Sequence, residues 1–227
     1  MPLPVGQYYP RIGRGAWNYH RSSFRNAIVA ARQQFHLLCD QLETIFTNIE
    51  PVQRNAGTYG HTSRNLLILA CTEFEAQCTE ILQANSATPT GRHFNTNDYV
   101  KLCPVMRLDA FSFSLRMFPD YPPISPFAGW NASQPTQSLT WYNAYNLTKH
   151  DREANFGLAT LENAILSVSA CYAILIAQIF GEKAPMGDDA RVFKYVAAPT
   201  VNQADRYSGP ATSGTSPSTW TPVNFAF

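Results

Sequence analysis

Apolar residues recur at alternating three- and four-residue steps through Ile28, Ala31, Phe35, Leu38, Leu42, Ile45 and Ile49. That period lays one continuous stripe along a helix. The helix is predicted to open at a Ser22 or Ser23 cap and to end before Pro51. Its strict alternation is that of a coiled-coil seam, so a neighbouring helix should lie nearly parallel or antiparallel to it. A loop through Gly57 and Gly60 leads to a second stripe, Leu66, Leu67, Ala70, Phe74, Cys78, Ile81 and Leu82. Thr62 or Ser63 is its predicted cap, with Glu73 and Glu80 facing outward and Arg64 in the first turn. A third stripe, Leu161, Ile165, Val168, Tyr172, Leu175 and Ile179, follows a Thr160 cap and stops at Gly181. This last segment is apolar enough to raise the question of a membrane. Ser167, Ser169 and Gln178 interrupt it, and it falls short of the roughly 20 residues a span needs. A buried core helix is the expectation.

Between the second and third stripes the pattern changes. Phe111-Ser-Phe-Ser-Leu-Arg-Met117 alternates apolar and polar, the period of a half-buried strand. Tyr99–Leu102 is its expected hairpin partner, with the turn around Leu108–Ala110. Pro119–Pro126 is too proline-rich for either regular element and reads as an extended loop pinned by Phe127 and Trp130. Beyond Pro185 only Arg191–Val196 reads as a strand. The expected organisation is an irregular arm over 1–21, one mainly α domain over 22–198 with an insert at about 86–137, and a low-complexity, disordered tail over 199–227.

Composition narrows the function classes. The chain has 227 residues, 45% hydrophobic and only 15% charged, with a formal net charge of +1. A nearly neutral chain has no bulk attraction for polyanions, so any such contact must come from a local cluster. The five cysteines form no Cys-x-x-Cys pair and show no zinc spacing with the five histidines. They read as buried reduced thiols, which with the lack of a secretory pattern at the start points to a cytoplasmic protein. No metal or other cofactor is expected.

The candidate chemistry lies in Trp141-Tyr-Asn-Ala-Tyr-Asn-Leu-Thr-Lys-His-Asp-Arg-Glu-Ala-Asn-Phe156, ahead of the third stripe. At helical spacing Asn143, Asn146 and His150 share one face, and Lys149, Arg152, Glu153 and Phe156 the adjoining one. A break is expected at Asn155–Gly157. Imidazole exchanges protons near neutrality, and neighbouring cations stabilise an anionic phosphate transition state. His150 is therefore the candidate general acid–base, Asn146 an orienting group, and Lys149 with Arg152 a phosphate clamp. Those parts suffice to cleave RNA through its own 2′-hydroxyl without metal. Asn143, Tyr145 and Arg64 complete the candidate RNA-binding set, with Tyr145 or Trp141 available to stack on a base; for Trp141 buried packing is the expected role.

The helix Arg64-Asn-Leu-Leu-Ile-Leu-Ala-Cys-Thr-Glu-Phe-Glu75, followed by Trp141 and by Tyr145-Asn-Leu-Thr-Lys-His-Asp-Arg152 leading into a long apolar helix, resembles the HEPN superfamily. The likeness covers roughly residues 22–182. It implies an up-and-down helical bundle, homodimerisation that faces two motifs across a composite ribonuclease site, RNA as ligand, and a toxin–antitoxin or phage-defence setting with an antitoxin or other protein partner. Active members carry arginine where Tyr145 stands. A non-catalytic protein–protein interaction or dimerisation module is the alternative reading of the same residues.

Overall fold

Each apolar stripe becomes a helix because only that conformation brings its residues to one side of the chain. The computed structural model describes residues 22–179 and 191–199. The N-terminal arm, the stop at Gly181, the side chain of Ile28 and the tail past Pro199 lie outside the described residues. The protein is mainly helical, with one small antiparallel sheet.

Helix α1 spans Ser22–Phe46 and α2 His61–Ala84. Two short helices, α3 (Thr96–Tyr99) and α4 (Leu102–Met106), precede strand β1 (Ser112–Leu115). Then come α5 (Thr140–His150), α6 (Arg152–Asn155), α7 (Leu161–Ile179) and strand β2 (Phe193–Ala197). Helices α2 and α7 form the centre, with α1 and α5 each packed against both. Leu161 N–H donates to Thr58 O at one end, and the Cys171 thiol donates to Ala70 O further along, so α2 and α7 run in the same direction. Contacts of Arg64 with Thr148 and of Glu75 with Tyr142 make α5 antiparallel to α2.

The predicted faces are buried: Phe35, Leu38 and Leu42 on α1, Leu66, Phe74 and Ile81 on α2, and Leu161, Ile165 and Val168 on α7 are enclosed. Burying a large apolar side chain of this kind contributes about 1.5–3 kcal/mol. Thr160 caps α7 as expected, its hydroxyl accepting from Asn163 N–H at 3.2 Å. The stretch Leu161–Gln178 is long and apolar enough to cross a membrane, yet 83% of it is buried inside the protein. It is a core helix. All five cysteines are free and buried, and burial pushes the Cys103 thiol up to about 12.

Three expectations are corrected. Helix α2 starts at His61 with Gly60 before it and no side-chain cap, so Thr62 and Ser63 lie inside the first turn. Glu73 does not face solvent freely: it is half-buried and accepts from the Gln77 amide at 2.7 Å. The expected hairpin does not form. Tyr99 and Leu102 are helical, because Asn95 and Asp98 make a reciprocal capping box that starts α3. Strand β1 instead pairs antiparallel with β2, Phe113 opposite Tyr195 and Leu115 opposite Phe193, with an irregularity between Ser112 and Phe113. On its other side Phe113 exchanges both backbone hydrogen bonds with Ile124, at 2.8 Å each.

The aromatic loop sits as expected. Trp130 Nε1 donates to Pro135 O and Trp141 Nε1 to Pro126 O, each at 2.8 Å. Phe74 is the hub on which Tyr99, Phe127, Trp130, Trp141 and Tyr142 converge. That cluster fixes the starting end of α5, and with it the polar segment.

Candidate functional site

Helix α5 is amphipathic in a way that sorts its polar residues. Trp141, Tyr142, Ala144, Tyr145 and Thr148 face inward, Asn143 and Asn146 lie half-buried at the boundary, and Leu147, Lys149 and His150 face solvent. Asn143, Asn146 and His150 therefore do share one face, and His150 closes the helix.

The helix ends sooner than expected. Asp151 is at once the C-cap of α5 and the N-cap of α6, its carboxylate accepting from Ala154 N–H at 3.1 Å. An aspartate that can bond the backbone ahead of it favours a helix start over a helix interior. The break thus falls at Asp151 rather than at Asn155–Gly157. Arg152 begins a separate four-residue helix and does not continue the face carried by Lys149. The signal was present in the sequence as Asp151-Arg-Glu153, an N-cap followed by an acidic first turn.

Two candidate residues are already engaged. Tyr145 is 1% exposed, with its ring edge against Tyr142. So enclosed, it has no face to offer a base, which corrects its expected stacking role. The Lys149 ammonium donates to Tyr145 Oη at 2.9 Å and lies 5.0 Å from the ring centroid. That hydrogen bond raises the Lys149 pKa above the ordinary lysine value. Lys149 is nonetheless exposed, so its charge remains at the surface.

Arg64 reaches the motif from α2. Its Nη2 donates to Thr148 O at 3.2 Å, while its Nε is buried without a partner. The guanidinium so placed satisfies a carbonyl in the last turn of α5, where a cation complements the helix dipole. Thr148, fully buried, turns its own hydroxyl back to Ala144 O and Tyr145 O. His61, absent from the expected set, opens α2 with its ring centroid 4.7 Å from that of Phe156. Only its place in the tertiary structure brings it to this end of the molecule.

The site is thus the joint end of α2 and α5: exposed His150 and Arg152, exposed Lys149, half-buried Arg64 and Asn146, and His61 nearby. His150 is exposed, and its ring makes no hydrogen bond to a described residue. Leu147, Leu158 and Tyr59 stand 39%, 37% and 55% exposed at the same end. No group of three His, Cys, Asp or Glu side chains suited to a metal ion exists among the described residues.

Fold and site together define a mainly helical protein that presents an imidazole and several cations at one end of its central helices. No family model matches the chain, and no curated protein or solved structure matches it either.

Proposed function

We propose that this is a HEPN-like helical bundle acting on RNA, with His150 as general acid–base of a metal-independent endoribonuclease. The observation that carries the reading is the exposed His150 ring at the end of α5, with Lys149 and Arg152 beside it and Arg64 behind. Its nitrogens can take the 2′-hydroxyl proton and return one to the leaving 5′-oxygen. The cations oppose the charge that builds on the phosphate. Asn146, one turn earlier on the same face, orients the ring or a phosphate oxygen, and Asn143 extends that face. The near-neutral chain supplies no general field, so RNA affinity rests on this local cluster. A homodimer that faces two such ends would complete the groove, in a toxin–antitoxin or defence setting.

A second reading has its own support. Leu147, Leu158 and Tyr59 form an exposed apolar set beside the motif, which suits a dimer or partner surface with no catalysis. One experiment separates the two. Purified protein incubated with single-stranded RNA in excess chelator should yield products ending in a 2′,3′-cyclic phosphate. His150→Ala should reduce that cleavage at least a hundredfold while leaving the melting curve unchanged. RNA that stays intact with wild-type protein sinks the nuclease reading and leaves the interaction module.

A further inference from the structure

The opposite end of α2 carries a second, unrelated cluster. A 24-residue helix separates its two ends by about 36 Å, so this cluster lies far from His150. There a cleft of about 370 Å³ is lined by Thr79, Gln83, Pro89, Arg92, His93 and Phe94. Its size falls within the range of small-ligand pockets.

The loop that forms its outer wall is held from within. Asp98, 1% exposed, accepts from Thr90 N–H and from the Thr90 hydroxyl at one end of the loop, and from Asn95 N–H at the other. Lys101 pairs with the same carboxylate at 3.4 Å. Tyr99 Oη donates to Phe94 O at 3.2 Å, and Thr79 Oγ1 lies 3.2 Å from Tyr99 Oη. A phenol has one proton to give, so Thr79 is the donor of the second bond, and its own lone pairs remain available. Arg92 and His93, between the two anchors, are exposed; the Asn95 amide donates to His93 O at 3.3 Å, which fixes the backbone and leaves the His93 imidazole and the Arg92 guanidinium with no ion pair or hydrogen bond to a described residue. The charge of Asp98 is consumed inside the loop. Glu80 on α2 lines a different cleft, with Ala30, Glu73 and Gln77. The loop so held presents a guanidinium and an imidazole beside the apolar Pro89 and Phe94 and the polar Thr79 and Gln83.

We propose that this cleft binds a nucleoside monophosphate. Arg92 offers a planar fork of donors that matches phosphate oxygens, with His93 as a second donor. Pro89 and Phe94 supply flat apolar walls for a base. The Gln83 amide and the Thr79 oxygen give both hydrogen-bond senses to a base edge or a ribose. A simple anion would use only Arg92 and His93, and an uncharged aromatic only the walls; a ligand with both a phosphate and a polar-edged ring uses every lining group. The loop is ordered before binding, which removes part of the cost of association.

The test is calorimetric titration of the full chain with the four common ribonucleoside 5′-monophosphates, with adenosine and inorganic phosphate as separate arms. At least one monophosphate should bind, more tightly than either of those two. Arg92→Ala, on the surface, should keep its circular dichroism spectrum and weaken that binding at least tenfold. His150→Ala should bind as wild type does, which keeps this result independent of the outcome for RNA cleavage. Lack of heat from all four monophosphates at millimolar concentration overturns the proposal. So does an Arg92→Ala variant of unchanged affinity, or inorganic phosphate that binds as well as the nucleotides.

Discussion

Replacing Asp98 by Asn tests whether one buried carboxylate organises the 88–95 loop. The change is nearly isosteric, so it alters charge and hydrogen bonding and leaves packing almost untouched. Oδ2 accepts from Thr90 N–H, the Thr90 hydroxyl and Asn95 N–H; Oδ1 accepts from Thr90 N–H and from Lys101. An amide has one acceptor oxygen and one donor nitrogen, so whichever way it turns, one of these donor sets meets an N–H instead of an oxygen. A hydrogen bond to a charged group contributes about 1.5–3 kcal/mol, and a buried donor left unsatisfied costs a comparable amount. Losing one such bond and weakening the rest gives a loss of about 2–4 kcal/mol. For a chain of this size each kcal/mol moves Tm by roughly 2–4 °C, so a drop of about 5–15 °C is expected by thermal circular dichroism. Thr90→Val removes only the hydroxyl bond and should lose about 1 kcal/mol. Should Asp98→Asn melt within a degree of wild type, or Thr90→Val fall further than it, the loop is not held this way.

Two further outcomes follow from other buried polar groups. Tyr142 Oη donates to Glu75 Oε1 at 2.6 Å across the α2–α5 interface; burial foremost, and then this bond, push the phenol far above its ordinary pKa. Tyr142→Phe should lose about 1.5–3 kcal/mol, read as a lower urea midpoint with an unchanged m-value; an unchanged midpoint refutes the assignment. Burial raises the Glu80 pKa, and burial foremost, against the opposing Gln77 hydrogen bond, raises that of Glu73. A carboxyl raised in the folded state binds more protons there than in the unfolded chain, so stability falls as pH climbs from the unfolded value through the folded one. Glu80→Gln should therefore melt higher than wild type at pH 7, and the gap should close as pH drops below about 4. A gap that is the same at both pH values contradicts that sign.

The helical skeleton was legible because its signals are local. Alternating three- and four-residue steps are enough to state that a helix exists and which face it buries, and the stripes of α1, α2 and α7 needed nothing more. Thr160 could be assigned as a cap for the same reason. Strand pairing is different. The alternation of Phe111–Met117 fixes which side chains point inward but says nothing about the partner, and Phe193–Ala197 lies far along the chain. Tyr99–Leu102 was the near candidate, and the capping pair Asn95 and Asp98 excluded it. At the site, the shared face of Asn146 and His150 was readable from spacing. The interruption at Asp151 was not read, because a polar run at helical spacing hides an N-cap within it. His61 and the reach of Arg64 to Thr148 depend on the antiparallel packing of α2 and α5, which no single segment encodes.

Position 145 is where the family resemblance places an arginine, and the packing explains why a tyrosine suits that place in this chain. The side chain at 145 points into the interface that holds Tyr142 and Glu75. A guanidinium in that place would have to be desolvated, with Lys149 as its nearest cationic neighbour. Tyrosine instead fills the space with an aromatic body and spends its hydroxyl on Lys149. On α5 the cation beside His150 is Lys149, already bonded to Tyr145 Oη, so a guanidinium near His150 has to come from another element. Arg152 sits beyond the break, on a short helix whose orientation is set by Asp151 rather than by α5. Arg64 is fixed directly to the last turn of α5 through Thr148 O, two residues before His150. One of its N–H groups is used there, and Nε is buried with no hydrogen-bond partner. Of the two arginines, the one delivered by α2 is bonded directly to the end of α5, and the other is set by a separate short helix.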